Sequence, residues 1–266
     1  MVPTMRELSG WSLGTLTATY DERDVMLYAL AVQAHATELE LVYERDLRVL
    51  STFALPLGLW AVEIVDRLGA YDPGQALHVS QGLTVLAPLP TRGNIEMSGA
   101  VTNVWDKGSS ALVEVTATSA LFVAIYLLFV PGVGGFGGER GPSSAGSVSE
   151  REPTWTTTVV TTTDQAALYR LTGDRHVLHI DPDKARAAGF ERPILHGLCT
   201  LGAVVLELAR VTGRDATSLV SLDARFTAPV LPGAKISISA WSGESTEFVA
   251  SVEGLGTVLS GSAVFS

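Results

Sequence analysis

Apolar positions along the chain follow two different spacings, and both spacings occur in each half of the sequence. Four stretches have the helical spacing: residues 25–34, 57–68, 164–171 and 198–211. Asp21 or Asp24 could cap the first of these helices, and Thr163 could cap the third. Each half is therefore predicted to begin with a short helix, followed by a longer and more apolar one.

Strand-like stretches follow each longer helix without any helical pattern between them. In the first half they read ALHVSQGLTVLAP, NIEMSGAVTNV and SALFVAIYLLFV; in the second half they read SLVSLDARFTAPV, KISISAWS, TEFVASV and GTVLSGSAVF. Alternation, β-branched residues and the Pro-Gly punctuation between the runs indicate an antiparallel meander. One long helix wrapped by an antiparallel sheet is the α+β arrangement called a hotdog.

Short identical strings show that the two halves are a repeat. LYAL at residues 27–30 returns as LYRL at residues 168–171, and the pair Ala87–Pro88 returns as Ala228–Pro229, each 141 positions later. A repeat of this length indicates a duplicated domain and not a solenoid. We therefore predict an α+β double hotdog, a pseudo-dimer within one chain.

The two predicted domains are separated by a segment rich in Gly, Ser and Pro. We assign residues 1–133 to the first hotdog, 134–153 to a linker and 154–266 to the second hotdog. GVGGFG at residues 132–137 matches the dinucleotide-binding pattern G-x-G-x-x-G, but that site needs a helix starting within the motif. ERGPSSAGSV follows instead. A flexible seam is the better interpretation.

Composition excludes some functions and compartments. The net charge of -10 argues against nucleic-acid binding, and 47% hydrophobic residues are ample for a core. Cys199 is the single cysteine, so no internal disulfide is expected. The N-terminus does not resemble a secretory signal, and the apolar run at residues 120–130 is too short to span a bilayer as a helix. A cytoplasmic protein without a membrane partner is expected.

Candidate chemistry concentrates in YRLTGDRHVLHID, residues 169–181. A neutral imidazole such as that of His179 can take a proton near pH 7, and a nearby carboxylate such as Asp174 can hold a water. Gly173 allows the backbone to turn both side chains to one place. The repeat supplies a control, because Gln33 and Glu38 stand at the positions equivalent to Asp174 and His179. The first half thus lacks the pair, which favours a catalytic role over a structural one.

Gly197 lies where the long helix of the second half is expected to begin. A free N–H at the positive end of a helix suits an oxyanion or a thioester carbonyl oxygen, although a glycine there could simply permit close packing.

Cys199 is expected to be a small buried side chain, and His35 and His78 are isolated histidines without a catalytic signal. Nothing in the cysteine or histidine spacing indicates a metal site.

Y-x-L-[ST]-G-D-x4-H-x-D-P, followed by A-G-F-x-R-P-I-L-H-G-L-C-T-L-G, resembles the MaoC-like (R)-specific type-two enoyl-CoA hydratases, which have a double hotdog fold. YDERDVMLYALAVQA, PLPTRGNIEMSGAVTNVWDKGSSA and GVGGFGG extend the resemblance to the first half. By this resemblance Asp174 and His179 activate one water for syn addition to a trans-2-enoyl thioester, and the Gly197 N–H polarises the thioester carbonyl. The first half would supply the acyl tunnel. Further residues expected at the substrate are Gly173, Arg175, His176 and His196.

No metal or redox cofactor is implied, since coenzyme A or a carrier-protein phosphopantetheine is part of the substrate. Three residues depart from the family pattern: His176 replaces Asn, Val177 replaces Pro, and Pro131 stands where an arginine is expected. Three functions stay open: a hydro-lyase acting on coenzyme A thioesters, a dehydratase acting on an acyl carrier protein, and an inactive thioester-binding subunit. A homodimer formed through the seams is a further open question.

Overall fold

The computed structural model of the protein describes residues 2–142 and 151–266. The strands of the first half are β1 (Ser12–Tyr20), β2 (Leu77–Val85), β3 (Gly93–Asp106), β4 (Ser110–Thr118) and β5 (Phe122–Pro131). Those of the second half are β6 (Trp155–Val160), β7 (Leu219–Phe226), β8 (Lys235–Trp241), β9 (Thr246–Val252) and β10 (Gly256–Phe265). The helices are α1 (Glu22–Ala31), α2 (Leu39–Val42), α3 (Ala54–Gly58), α4 (Trp60–Arg67), α5 (Gln165–Tyr169), α6 (Pro182–Ala187) and α7 (Gly197–Thr212).

All ten strands form one antiparallel sheet whose order is symmetric about its centre. The order is β1-β3-β4-β5-β2-β7-β10-β9-β8-β6, so each half contributes five strands in the same sequence outward from the β2–β7 junction. At that junction Gly82 pairs with Asp223, and these two residues are 141 positions apart, as in the sequence repeat. The pseudo-twofold axis therefore passes through this pair. The double hotdog prediction is confirmed.

Three of these strands were not predicted from the sequence. β4 carries the alternation of a half-exposed strand, with buried Val113, Val115 and Ala117 separated by polar residues that are partly exposed. β1 and β6 are the outermost strands, rich in Thr, and each precedes the first helix of its half. The signal of β4 is therefore present in the sequence, whereas the polar character of β1 and β6 obscures them.

The long helix of the second half agrees with its prediction almost to the residue, but that of the first half does not. α7 begins at Gly197 and ends at Thr212, and the residue that follows, Gly213, adopts a left-handed conformation with φ of 68°. The predicted helix at 57–68 is instead two helices, α3 and α4, which begin at Ala54 and are interrupted at Leu59. Pro56 lies in α3, and its carbonyl accepts a tighter, 3₁₀-type bond from the Leu59 N–H at 3.4 Å. That local tightening interrupts the first-half helix.

The short helices also shift from their predicted bounds. α1 starts three residues earlier than predicted because Asp21 is the N-cap, in a reciprocal capping box with Asp24. It ends at Ala31, shortly before Gln33, whose φ is 75°. In the second half Asp164, and not Thr163, occupies the N-cap position of α5, and its side chain makes no capping bond.

The glycine-rich motif forms a loop that is hydrogen-bonded to Asp106 at the end of β3. No helix starts within residues 132–137, so the dinucleotide interpretation finds no support there. The Asp106 carboxylate accepts hydrogen bonds from the N–H groups of Gly135 (3.0 Å) and Gly137 (2.6 Å). The first part of the predicted linker is therefore held against the end of β3, whereas residues 143–150 lie outside the described residues. β5 ends at Pro131 and β6 begins at Trp155, on either side of the predicted linker.

Among the described residues, no helix has both the length and the apolar character needed to cross a membrane. Cys199 is a free thiol, completely buried near the start of α7, as its position in the apolar helix predicts.

Candidate functional site

The segment that carries Asp174 and His179 has almost no regular structure. A 3₁₀ turn (Arg170–Thr172) follows α5, and the chain then reverses at Gly173, whose φ of 136° is one that side chains rarely tolerate. The Asp174 carboxylate accepts a hydrogen bond from the His176 N–H at 3.1 Å, which fixes its orientation. A second 3₁₀ turn (Val177–His179) then places the imidazole of His179 beside it. Gly173 thus has the role in chain geometry that the sequence predicts.

The Asp174 carboxylate and the His179 imidazole are spaced to share one water molecule. An oxygen of Asp174 and a ring nitrogen of each of His179 and His196 lie within 4.8 Å of one another. A water that makes two hydrogen bonds of ordinary length at a tetrahedral angle joins atoms about 4.6 Å apart. The His179 Nδ1–H donates to the Ile194 carbonyl at 2.9 Å, which leaves Nε2 as the free acceptor. His179 therefore has the tautomer that a general base needs.

Burial keeps His179 neutral. Its pKa is lowered chiefly by burial, against the opposing attraction of the Asp174 carboxylate and the hydrogen bond to Ile194. A histidine whose pKa lies below its usual range is unprotonated at neutral pH and can accept a proton from water. Asp174 itself is only half-buried.

His196 contacts both members of this pair. It is completely buried, its Nε2–H donates to the backbone carbonyl of Asp174 at 3.1 Å, and its ring stacks on that of His179 with centroids 3.7 Å apart. Burial lowers the pKa of His196 to about 3, and His179 acts in the same direction. The prediction that His196 contacts the substrate stays a prediction.

Ligand-type atoms from Asp174, His179 and His196 are close enough together to suggest a metal site, but the ring geometry does not suit one. A metal bound to a histidine lies in the plane of the imidazole ring. The rings of His179 and His196 are stacked with an interplanar angle of 27°, so a single ion cannot lie in both planes at bonding distance. The arrangement suits a water held in front of His179 better than an ion held between the rings.

Gly197 is the first residue of α7, as predicted. The N–H groups of a first helical turn have no acceptor within the helix, and the His196 side chain makes no capping bond to them. Gly197 is exposed, and a Cβ added to it would lie 3.2–3.5 Å from ring atoms of Phe226. Both interpretations of this glycine thus find support: its N–H is free to bind an oxygen, and its lack of a side chain leaves room for Phe226.

Arg175 and His176 are exposed, and His176 faces two groups. Its ring lies 5.9 Å from that of His179, and it interacts electrostatically with Asp66 of α4. Burial raises the pKa of Asp66, while His176 and a hydrogen bond from Tyr71 oppose the shift. A carboxyl group of the first half therefore lies beside the predicted catalytic segment.

His78 is a site residue that the sequence did not reveal. Its ring lies 5.0 Å from that of Phe226, the side chain next to Gly197, and it interacts electrostatically with Asp174. Burial lowers the pKa of His78 to about 4, and the Asp174 carboxylate opposes this only in part. No local pattern marks an isolated histidine on a strand; its signal is the β2–β7 pairing, which exists only in the folded chain.

A cavity of about 220 Å³ reaches His179 from the side of α5. Its lining is mostly apolar, with one cation: Thr163, Ala166, Ala167, His179, Ile180, Arg192, Pro193 and Pro232.

The equivalent positions in the first half hold a structural ion cluster. Arg210 of α7 donates to both carboxylate oxygens of Glu38, at 2.8 and 2.6 Å, and to the Gln33 carbonyl at 2.9 Å. The Gln33 side chain donates to that of Gln165. The difference between the two halves seen in the sequence therefore has a structural counterpart. Where the second half has Asp174 and His179, the first half has Gln33 and Glu38, which hold Arg210 of α7.

We expect Gln33→Ala and Glu38→Ala to leave turnover within a few-fold. Glu38→Ala should also lower the free energy of unfolding by about 2 kcal/mol, because Arg210 is about four-fifths buried and would lose its best acceptor. Thermal melts and initial rates check both effects. Glu63→Ala, which removes an exposed pair with Arg67, is the stability control. A loss of turnover in either variant as deep as that of Asp174→Asn would contradict this interpretation.

Comparisons with known proteins identify the family of the chain. The family model for a MaoC-like domain matches residues 144–262, and that for a multifunctional-enzyme (MFE-2) hydratase 2 N-terminal domain matches residues 18–122. An enoyl-CoA hydratase of Mycobacterium tuberculosis is 36% identical, over 91% of this chain and 90% of its own length. A peroxisomal enoyl-CoA hydratase 2 of Arabidopsis thaliana is 34% identical, over 84% and 82%. The crystal structure of a MaoC-like dehydratase from Phytophthora capsici has a TM-score of 0.87 and 27% identity, covering 97% of this chain and 96% of that one.

The two family models match the two hotdogs separately, and the relatives align along nearly the whole chain. The repeated strand order and the similarity of both halves to known proteins lead to one conclusion: the chain belongs to the MaoC-like hydratase 2 and dehydratase family.

Proposed function

We propose that the protein is a hydro-lyase that adds water to trans-2-enoyl thioesters to give (R)-3-hydroxyacyl thioesters, and that it catalyses the reverse dehydration. The observation that carries this proposal is the spacing of Asp174 and His179, which suits one shared water in front of a neutral imidazole. Family membership supports the reaction class, since the relatives are named as hydratases and dehydratases.

The chemistry starts with the shared water. Asp174 accepts one of its O–H groups and orients it, while Nε2 of His179 takes the other proton as the oxygen bonds to C3 of the substrate. The C2–C3 π electrons move toward the thioester, and the Gly197 N–H stabilises the enolate oxygen that forms. The His179 imidazolium then returns the proton to C2. Water is added in full, and both protein groups regain their starting states.

Stereochemistry follows from the placement of the groups. The hydroxyl and the proton both arrive from the face occupied by Asp174 and His179, so the addition is syn. Dehydration runs through the same steps in reverse, with His179 removing the C2 proton. No metal or redox group enters the proposal; the coenzyme A or phosphopantetheine arm belongs to the substrate.

We assign the acyl chain to the first hotdog and place Gly173, Arg175 and His176 along the thioester arm. Three groups of the first half lie beside the catalytic segment: Asp66, His78 and the backbone carbonyl of Pro56 in α3, which is next to Gly173. Their positions support this division of labour. A cytoplasmic location stays a prediction, and several of the relatives are named as peroxisomal. Pairing of two chains through their seams also stays a prediction.

Turnover of matched substrates tests the proposal. We expect the protein to hydrate trans-2-butenoyl-CoA, which is followed by loss of the ultraviolet absorbance of its conjugated thioester. The same acyl group on an acyl carrier protein separates the two carriers: at least tenfold higher kcat/KM on the carrier protein would favour the carrier-linked dehydratase. Tight binding of both thioesters without turnover would instead indicate an inactive binding subunit.

His176→Asn should keep most of the activity and change the pH–rate profile near neutrality. An imidazole changes charge in this range, whereas the amide found in the family does not, and His176 faces both His179 and Asp66. The control is His35→Asn, at the exposed position 141 residues earlier. Complete loss of activity would make His176 the general base, and an unchanged profile would show that it only faces solvent.

A further inference from the structure

We propose that His196 is the positioning residue of the site: its ring and its Nε2–H together set the distance between His179 and Asp174. This inference rests on the proposed function. His196 touches both members of the pair, and each contact is made by a different part of the side chain. The flat face stacks on His179 at 3.7 Å, while the edge donates to the Asp174 carbonyl at 3.1 Å.

The ring of His196 is itself held firmly. Tyr169 contacts it, with ring centroids 4.9 Å apart, and the backbone of His196 forms the N-cap of α7, where its carbonyl accepts from the Thr200 N–H at 3.1 Å. Because α7 is the most buried helix of the second half, its first turn is a rigid support. The segment that carries Asp174 and His179 has little regular structure of its own, so this support has to come from outside it.

Direct chemistry by His196 does not fit its surroundings. The side chain is completely buried, and its Nε2–H already has an acceptor. Among the described residues, its Nδ1 has no hydrogen-bond partner. Burial lowers its pKa to about 3, so the ring stays neutral wherever His179 can work as a base.

A purely space-filling role does not explain why residue 196 is a histidine either. A phenylalanine would stack on His179 without burying an unpartnered nitrogen, which destabilises a fold. What imidazole adds to a flat ring is an N–H at its edge, and here that N–H reaches the carbonyl of the catalytic carboxylate's own residue. The residue type therefore matches a role in which both contacts are needed at once.

Two variants separate the contacts. His196→Phe keeps a stacking ring and removes the N–H, whereas His196→Gln keeps a donor of similar reach and removes the ring. With trans-2-butenoyl-CoA we expect each to lower kcat about tenfold or more while KM changes less than threefold, because a misplaced base slows chemistry and not binding. Cys199→Ala, one turn away in the same buried helix start, controls for loosened packing and should keep kcat within twofold. Thermal melts confirm that each variant is folded.

The decisive comparison combines His196→Phe with His179→Ala. If His196 acts through His179, its replacement should cost little more once His179 is gone. Equal losses in both backgrounds, an unchanged kcat, or a raised KM with unchanged kcat would each overturn the positioning role, the last in favour of a substrate contact. A parent protein that hydrates no enoyl thioester would overturn this inference together with the proposed function, whereas an active parent with an unaffected variant would overturn this inference alone.

Discussion

Asp174→Asn and His179→Ala should each lower the turnover of an enoyl thioester by roughly a hundredfold or more while the protein stays folded. Asp174→Asn keeps the shape and the loop but loses the charge that orients the water. His179→Ala removes the free Nε2 and with it the acceptor for the proton. The Nδ1–H of His179 donates to Ile194 on the opposite side of the ring, so Nε2 is the nitrogen that remains to take the proton.

The double variant should be little worse than either single one, because both groups act on one water. Asp183→Asn is the matched control, an exposed carboxylate of the following helix that should keep turnover within twofold. Fully additive losses in the double variant would contradict the shared water. Unfolding of either single variant, seen in its thermal melt, would indicate a structural role instead.

Gly197→Pro should lower kcat by about a hundredfold, whereas Gly197→Ala should lose only a few-fold. Proline suits the first position of a helix and lacks the N–H that would bind the thioester oxygen. His196, the preceding residue, has φ of -60° and ψ of 134°, a conformation that proline favours before it. The substitution can therefore remove the N–H without breaking the helix.

Alanine is the control because it adds the same Cβ and keeps the N–H. That Cβ would lie 3.2 Å from the nearest atom of the Phe226 ring, which has to move by a few tenths of an ångström. Initial rates and thermal melts of the two variants measure the difference. If Ala and Pro lose the same amount, the contact with Phe226 and not the N–H explains the glycine.

Repeated local patterns made most of the fold predictable from the sequence. The 141-residue offset, seen first in LYAL and LYRL, reappears in the pairing of Gly82 with Asp223 at the centre of the sheet. The edge strands β1 and β6 escaped prediction because they are rich in Thr and few of their residues are buried, which leaves little apolar signal. The strand β4 was missed although its residues from Val113 to Thr118 alternate between apolar and polar. The interruption of the first long helix at Leu59 depends on local backbone geometry around Pro56, which apolar spacing does not encode.

Part of the candidate site could likewise be predicted from the sequence, and part could not. Asp174, His179 and Gly197 could be proposed because short sequence separations carry their motif and because the first half lacks the pair. The interactions of His78 and Asp66 with this segment depend on strand pairing and helix docking between the halves, so no local pattern reveals them. The stacking of His196 on His179 depends on how the start of α7 meets an irregular loop, which likewise exists only in the folded chain.

Hydration of trans-2-butenoyl-CoA in deuterium oxide tests the central claim most directly. Chiral analysis gives the configuration at C3, and proton NMR of the product gives the face on which deuterium was added at C2. One shared water in front of His179 predicts that the new hydroxyl and the deuterium are added to the same face, and membership of the hydratase 2 family predicts the (R) configuration at C3. Deuterium on the opposite face would contradict the shared water, and an (S) product would contradict the proposed product.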